Sequence, residues 1–148
     1  MANIIEQIND AIEVRVLAVL GSPFLELDYV IVVDKNHFLN NKQRYGVRPL
    51  AGDSILTVTN TYTANQVFEI IITHDYVNQN DDTDQRAKMF LLQDKVDSLL
   101  KDIIKTKVGL NNIILKIDEF VIAEAEFIEE ESLVIQRLQL TVQYRQAV

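Results

Sequence analysis

Several kinds of residue and segment are scarce in this sequence, and each absence excludes a class of structure or function. The 148 residues include no cysteine, which excludes disulfides, thiol nucleophiles and thiolate metal sites and fits a reducing cytosol. Positive charge is in deficit: the formal net charge is −8, so the surface as a whole repels polyanions such as nucleic acids. No run of about 18 apolar residues occurs, so the sequence predicts no membrane-spanning helix.

What remains is the composition of an ordinary globular protein. Hydrophobic residues make up 48% of the chain and charged residues 24%. A chain of this length can bury one core of fair size, so we expect residues 1–148 to form a single domain. The first residues, MANIIEQINDAIEV, lack the basic start and the apolar centre of a secretion signal, so we expect no export by that route.

The strongest pattern in the chain is a helix predicted from Thr83 to Lys107. Apolar residues recur there at spacings of three and four, which places them along one helical face. They are Met89, Leu92, Val96, Leu99, Leu100 and Ile103. Gly109 follows as the residue expected to take the left-handed conformation that ends many helices. One apolar stripe of this length needs a broad partner, and the flanking segments predict that the partner is a β-sheet.

A second amphipathic helix is predicted from Asn3 to Leu20. Asn3 and Glu6 have the spacing of an N-terminal capping pair, and Gly21 ends the pattern. Its apolar stripe consists of Ile5, Ile8, Ile12, Val16 and either Val19 or Leu20. Arg15 lies beside this stripe, and we expect its aliphatic stem to pack there while its guanidinium reaches water.

The other periodic segments alternate as strands do. They are Phe24 to Val33, Ile55 to Thr59, Gln66 to Asp75, Ile113 to Phe127 and Leu133 to Gln146. The last of them alternates apolar and polar residues with Gln136 as the one interruption, which is typical of an antiparallel strand with one wet face. We therefore predict an α+β fold, a mostly antiparallel sheet with two amphipathic helices packed on one face. The predicted contact joins Leu92, Val96, Leu99 and Ile103 to Phe68, Ile70, Leu140 and Val142.

The end of the first predicted strand is apolar on both faces. Tyr29 lies on one face, whereas Val30 and Val32 lie on the other, where the strand began with acidic residues. A strand that is apolar on both sides is either deeply buried or in contact with another subunit. Tyr29, Val30 and Val32 are therefore candidates for a protein interface.

The segment from Asp34 to Asp53 is predicted to be a long loop, with room for a short strand near Tyr45 to Leu50, because its Gly, Pro and Asn residues interrupt any period. It is the most basic part of an acidic chain. Two interpretations stay open: a solvated, mobile hairpin, or an arm that reaches an acidic surface of a neighbour. In the second case Lys42, Arg44 and Arg48 are the candidate interface residues, since arginine pairs with carboxylates in a bidentate way.

Candidate catalytic and metal-binding groups are few. His74 precedes Asp75, a pair that occurs in metal-dependent hydrolases, but His37 is the only other histidine and has no metal-ligand spacing to it. Residues 80–84, NDDTD, resemble a calcium loop but lack its spacing, its glycine and its final glutamate. No phosphate-binding, dinucleotide-binding or serine-hydrolase motif occurs. We expect no enzyme, no cofactor and no metal, with a site of paired carboxylates as the catalytic alternative.

The order of these elements resembles the tail terminator (tail-completion) proteins of long-tailed bacteriophages. The resemblance lies in the N-terminal helix IIEQINDAIEVRVLAVLG, the strand NQVFEIIITHDY, the lone long helix and the closing strand LQLTVQYRQ, and it spans nearly the whole chain. It implies a mostly antiparallel sheet with helices on one face. It also implies a hexameric ring that caps the finished tail tube and docks the tail onto the head connector.

The resemblance also implies partners and a location. The expected partners are further copies of the chain in a ring, the tail tube protein and the head–tail connector or neck protein, with genomic DNA only passing through the lumen and no membrane. The expected location is the tail or neck of the virion, after synthesis in the host bacterial cytoplasm. A net charge of −8 suits a lumen that DNA passes without sticking. The alternatives are a head-closure or neck protein, and a small α+β enzyme or ligand-binding domain with a carboxylate site.

Overall fold

The structure is a computed structural model that describes residues 3–22, 24–26, 42–56, 61–76, 83–110, 112–128 and 132–147. Two helices and six strands occur in this part of the chain. The helices are α1 (Ile4–Leu20) and α2 (Thr83–Thr106). The strands are β1 (Leu25–Glu26), β2 (Arg44–Leu56), β3 (Thr61–Asp75), β4 (Ile114–Ile122), β5 (Glu126–Ile128) and β6 (Leu133–Ala147).

All six strands join one sheet in the order β1-β2-β3-β6-β4, and β5 also pairs with β6. Every pair is antiparallel except β1 with β2, which is parallel. The two long strands β3 and β6 pair without a break, from Thr61 opposite Ala147 to Asp75 opposite Leu133. The fold is α+β, as predicted: a mostly antiparallel sheet with two amphipathic helices on one face.

The core lies between this sheet and the helices. Alternate side chains of β3 and β6 point toward the helices, since successive residues of a strand face opposite sides. The eight residues predicted to pack together all belong to one hydrophobic cluster, and each exposes 2% or less of its surface. They are Leu92, Val96, Leu99, Ile103, Phe68, Ile70, Leu140 and Val142. The predicted contact between α2 and the sheet is confirmed.

Helix α1 begins and ends as predicted. The Asn3 side chain accepts a hydrogen bond from the Glu6 backbone N–H at 2.8 Å, and Gly21 ends the helix with a φ of 70°. Arg15 is partly exposed, but its guanidinium has a partner that the sequence did not predict. It donates two hydrogen bonds to the Asp102 carboxylate of α2, at 2.8 Å from Nε and 2.5 Å from Nη2. This pairing joins the two helices and raises the pKa of Arg15 further.

Helix α2 departs from its predicted pattern at two places. Met89 was expected in the buried stripe but is 45% exposed, because the surface opposite it is a groove at the margin of the sheet. At the other end, Lys107, Val108 and Gly109 all have positive φ, at 49°, 51° and 77°. The left-handed stop therefore begins two residues before Gly109, and the buried Val108 side chain holds it in place.

The short strand predicted near Tyr45 to Leu50 is present but longer than predicted, and the loop predicted around it up to Asp53 is wrong from Arg44 onward. Residues Arg44–Leu56 form β2, and a bulge between Pro49 and Gly52 lets the strand continue past the proline. A Cβ atom at Gly52 would lie 2.5 Å from Gln66 Oε1 and 2.7 Å from the Asn65 carbonyl oxygen. Pro49 and Gly52, which predict a loop in the sequence, are thus residues that fit a bulged strand. Residues 34–41 lie outside the described part of the chain.

The strand predicted from Ile113 to Phe127 is two strands, β4 and β5, separated at residues 123–125. The break is held by the buried Gln136, whose Nε2 donates a hydrogen bond to the Ala123 carbonyl at 2.6 Å. Gln136 is the polar interruption noted on the apolar face of β6. Its side-chain amide provides a hydrogen bond to a backbone carbonyl that lies just past the end of β4, outside the strand pairing.

Candidate assembly surface

The predicted interface residues fall into two groups. Tyr29, Val30 and Val32 lie outside the described residues. The prediction that Arg44 and Arg48 belong to a loop is wrong, because both lie in β2. Arg44 Nη1 donates to the Glu26 carbonyl at 3.1 Å, and Lys42 precedes the strand with its own carbonyl bonded to Thr73 at 2.8 Å. A contact of Lys42, Arg44 or Arg48 with another chain stays a prediction.

The sheet face opposite the helices carries a central ion-pair group. Glu69 of β3 is buried between Arg48 of β2 and Arg137 of β6. Its Oε1 atom lies 2.9 Å from Arg48 Nε and 3.5 Å from Arg137 Nη1. Two guanidinium groups thus neutralise one carboxylate in the middle of the sheet. Arg48 therefore has an ion-pair partner within its own chain.

A shallow depression lies beside this group on the same sheet face. It is lined by Ala51, Gly52, Asn65, Val67, Asp118, Glu119 and Thr141. Asn65 Oδ1 is buried there without a hydrogen-bond partner, whereas Asp118 forms an ion pair with Lys116 at 3.0 Å. Among the described residues no group of three or more acidic or histidine side chains is arranged to hold a metal ion. The depression therefore provides no defined chemistry for the carboxylate alternative.

His74 sits at the end of β3, with its ring edge against Phe24 at a centroid distance of 5.9 Å. Its Nδ1 lies 2.8 Å from the Asp75 carbonyl oxygen and 2.9 Å from the Asp75 carboxylate. These contacts are those of a packed strand-end histidine.

A second cluster of acidic groups lies where α1 meets β1 and β2. Partial burial, the carboxylate of Glu26 and that of Asp10 raise the pKa of Glu13 to about 7, although a hydrogen bond from Asn9 opposes the shift. Burial and the carboxylates of Glu26 and Glu13 also raise the pKa of Tyr45. Close carboxylates that share a partly buried site resist ionisation together, so this cluster is sensitive to pH near neutrality.

Strand β4 offers an open sheet edge. Among the described residues nothing pairs with β4 on the side away from β6. Ala123 donates its backbone N–H to the Arg137 carbonyl at 3.0 Å. Because backbone directions alternate along a strand, the N–H and C=O groups of Phe120 and Ile122 point outward. We call this outward side of residues 119–122 the β4 edge.

Apolar side chains accompany the β4 edge. Val121 is 44% exposed and Ile122 is 52% exposed, on opposite faces of the sheet. Beside Ile122 is a groove of about 330 Å³ between α2 and the β4–β5 break, which we call the edge groove. It is lined by Met89, Gln93, Val96, Asp97, Leu100, Ile122, Ala123, Glu124, Ala125 and Gln136. Both charged residues in this lining are acidic.

Acidic residues predominate around the β4 edge, although one of them, Asp118, is paired with Lys116 of the same strand at 3.0 Å. Residues 118–126, DEFVIAEAE, contain four acidic residues and no basic one. They are Asp118, Glu119, Glu124 and Glu126, all on the surface. The sequence analysis missed this surface because it treated β4 and β5 as one ordinary strand. The signal that could have found it is a pair of apolar residues flanked by acids only.

The outer faces of the helices expose further apolar side chains. Val14 of α1 is 64% exposed and Ile104 of α2 is 57% exposed, and Leu17 and Phe90 are also exposed. Scattered apolar residues are common on protein surfaces, and the exposed Asp97–Lys101 ion pair stands between Phe90 and Ile104 on α2, so these side chains are candidates for contacts between copies and not a continuous patch.

No protein-family model matches the chain, and no curated protein matches it significantly. Neither described helix combines the length and the apolar character needed to cross a bilayer.

Proposed function

We propose that the protein is a structural virion subunit that forms a ring, ends a bacteriophage tail tube and joins the tail to the head connector. The observation that carries this proposal is the presence of two separate, unpartnered apolar surfaces. One is on the outer faces of the helices, and the other is the β4 edge with its groove. A ring subunit that also joins another component needs separate surfaces for the two kinds of contact, so we assign the outer helix faces to contacts between copies and the β4 edge to contact with a different chain.

The charge of the β4 edge supports the same proposal. Pairing of two β4 strands across a two-fold axis would bring two sets of four carboxylates together. Like charges directly opposite each other destabilise a strand pair. The charge of the β4 edge therefore disfavours a symmetric dimer. The edge is left available to bind a different surface.

The architecture is a further support. The resemblance to tail terminator proteins implied a mostly antiparallel sheet with helices on one face, and this chain has that arrangement. Since one fold serves many functions, this agreement supports the proposal less than the surfaces do.

The helix surface provides the first test. Replacing the exposed Ile104 of α2 with Asp places a charge where an apolar side chain stands, and should lower ring formation, because the charge would have to be desolvated in a contact. Size-exclusion chromatography with light scattering measures the mass of the particles. Ser98→Asp introduces the same side chain at another exposed position of α2 and is the matched control.

A ring for the native chain and for Ser98→Asp, with smaller particles for Ile104→Asp, supports the proposal. A native chain that stays monomeric at high concentration and does not bind tail tubes contradicts it. A particle that binds head portals but not tail tubes would instead favour the head-closure alternative.

A further inference from the structure

We propose that the β4 edge binds an extended, cationic segment of a different protein chain, which adds a strand beside β4 and places an apolar side chain in the edge groove. The inference deepens the proposed function, since it rests on the β4 edge being an assembly surface and adds the chemistry of the partner.

The backbone provides the first argument. The outward N–H and C=O groups of Phe120 and Ile122 form a row to which an extended chain can hydrogen-bond. Proteins usually protect such edges with lysine, proline or a bulge. The two irregularities of β4 lie earlier, between Ile114 and Lys116 and between Ile117 and Glu119. The stretch from Glu119 to Ile122 is regular and carries none of these protections.

The side chains provide the second argument. The side chains of an added strand would alternate between the two faces of the sheet. One would lie beside Ile122 on the helix side, where the edge groove lies, and the next beside Val121 on the other side. Its residue beside Ile122 can bury an apolar side chain against Met89 and Leu100. The occupant is therefore a strand with alternating side chains rather than a helix.

Charge complementarity selects the partner. Four carboxylates surround the edge without a basic residue in the same stretch, so cationic side chains in the added strand would be attracted. Pairing with the β4 edge of a second copy is disfavoured, because the same acidic residues would face each other.

The described strands of a second copy are also unsuitable. The basic residues of β6 lie on a strand paired on both sides, by β3 and by β4 or β5. Strand β2 has no described partner beyond Tyr45 on its outer side, but Pro49 and a bulge interrupt it there. Its Arg48 is already paired with Glu69 at 2.9 Å. We therefore assign the added strand to another protein chain.

The test uses two fluorescent seven-residue peptides of fixed sequence, the cationic KVRVKIR and the acidic EVEVEIE, with binding measured by anisotropy at low salt. The cationic peptide should bind at least about tenfold more tightly than the acidic one. Ile122→Pro should weaken that binding by about tenfold, because proline lacks the outward N–H. Ile122→Val keeps the N–H and is the matched control. Circular dichroism checks that each variant folds.

Two more measurements separate strand addition from simple charge attraction. Hydrogen exchange at the Phe120 and Ile122 amides should slow when the cationic peptide is bound, because these N–H groups gain acceptors. The double variant Glu119→Lys with Glu124→Lys, which leaves two acidic and two basic residues in this stretch, should remove most of the preference for the cationic peptide.

Equal affinity for both peptides, no binding of either at millimolar concentration, or full binding by Ile122→Pro would overturn the inference. Loss of self-association in Ile122→Pro without any peptide would also overturn it, because the occupant would then be a second copy. Such a loss would not contradict the proposed ring, because a ring also requires contacts between copies. A chain that forms a ring but binds no cationic peptide would contradict the inferred strand addition and still support the proposed ring.

Discussion

At the scale of single residues, Leu99 shows how much one side chain of α2 contributes to the fold. It is fully buried in the cluster between the helices and the sheet. Leu99→Ala should lower the free energy of unfolding by about 2–5 kcal/mol, since it removes apolar contact and leaves a cavity. Ile104→Ala, on the exposed side of the same helix, should cost less than about 0.5 kcal/mol. Chemical denaturation measures both, and similar losses in the two variants would contradict the assigned faces of α2.

Glu13 gives the chain a pH dependence that a single substitution can isolate. Its pKa is about 7 in the folded chain, above the ordinary value of 4.5. The folded state then holds the proton more tightly than the unfolded state, so the stability contributed by protonated Glu13 is full below pH 4.5 and is lost as pH rises toward 7. Glu13→Gln should therefore be nearly neutral in acid and stabilising above neutrality.

The measurement for Glu13 is the free energy of unfolding of both proteins, by urea denaturation at about pH 4 and about pH 8. The difference between variant and native chain should grow with pH in favour of Gln. A difference that does not change between the two pH values would show that Glu13 does not share its site with Glu26 and Asp10.

Residue patterns predicted the core but not the long-range polar contacts. Leu92 and Leu99 were placed correctly because helical periodicity is a local signal. The pairing of Arg15 with Asp102 joins positions 87 residues apart, and the bonds of Arg48 to Glu69 depend on the register of β2. Such contacts follow from tertiary arrangement, which a linear pattern does not contain.

At the scale of elements, the bulge in β2 is the feature that the sequence made hardest to predict. Gly46, Pro49 and Gly52 interrupt the alternation of a strand, so the segment was predicted as a loop. The long neighbour β3 provides a full ladder of partners, and these hydrogen bonds outweigh weak local preference. The helices, whose signals are local, began and ended within two residues of their predicted bounds.

Gly52 tests this account of β2. Gly52→Ala should destabilise the fold by about 1–3 kcal/mol, because the added Cβ would meet the Asn65 carbonyl, which belongs to the neighbouring strand and cannot move freely. Ala51→Ser changes the exposed neighbouring position and should have little effect. Thermal or urea unfolding compares the two, and a neutral Gly52→Ala would mean that the strands lie farther apart at the bulge.

At the scale of the whole molecule, the proposed function depends on exposed surfaces and not on any one sequence motif. Arg44 and Arg48 are candidate interface residues because of their positive charge. Both lie in β2, where each side chain bonds to a group of the same chain. The apolar pair flanked by acids is visible in the sequence, but sequence order does not reveal that its strand lies at the margin of the sheet. Only the topology places residues 118–126 there, beside the apolar groove.

The central claim is that copies of this chain form a ring at the end of a tail tube. Negative-stain electron microscopy of the purified protein, alone and mixed with tail tubes, tests this most directly. The account predicts rings in the protein alone and a ring on one end of each tube in the mixture. Tubes with bare ends, together with a protein that shows no ring at any concentration, would contradict it.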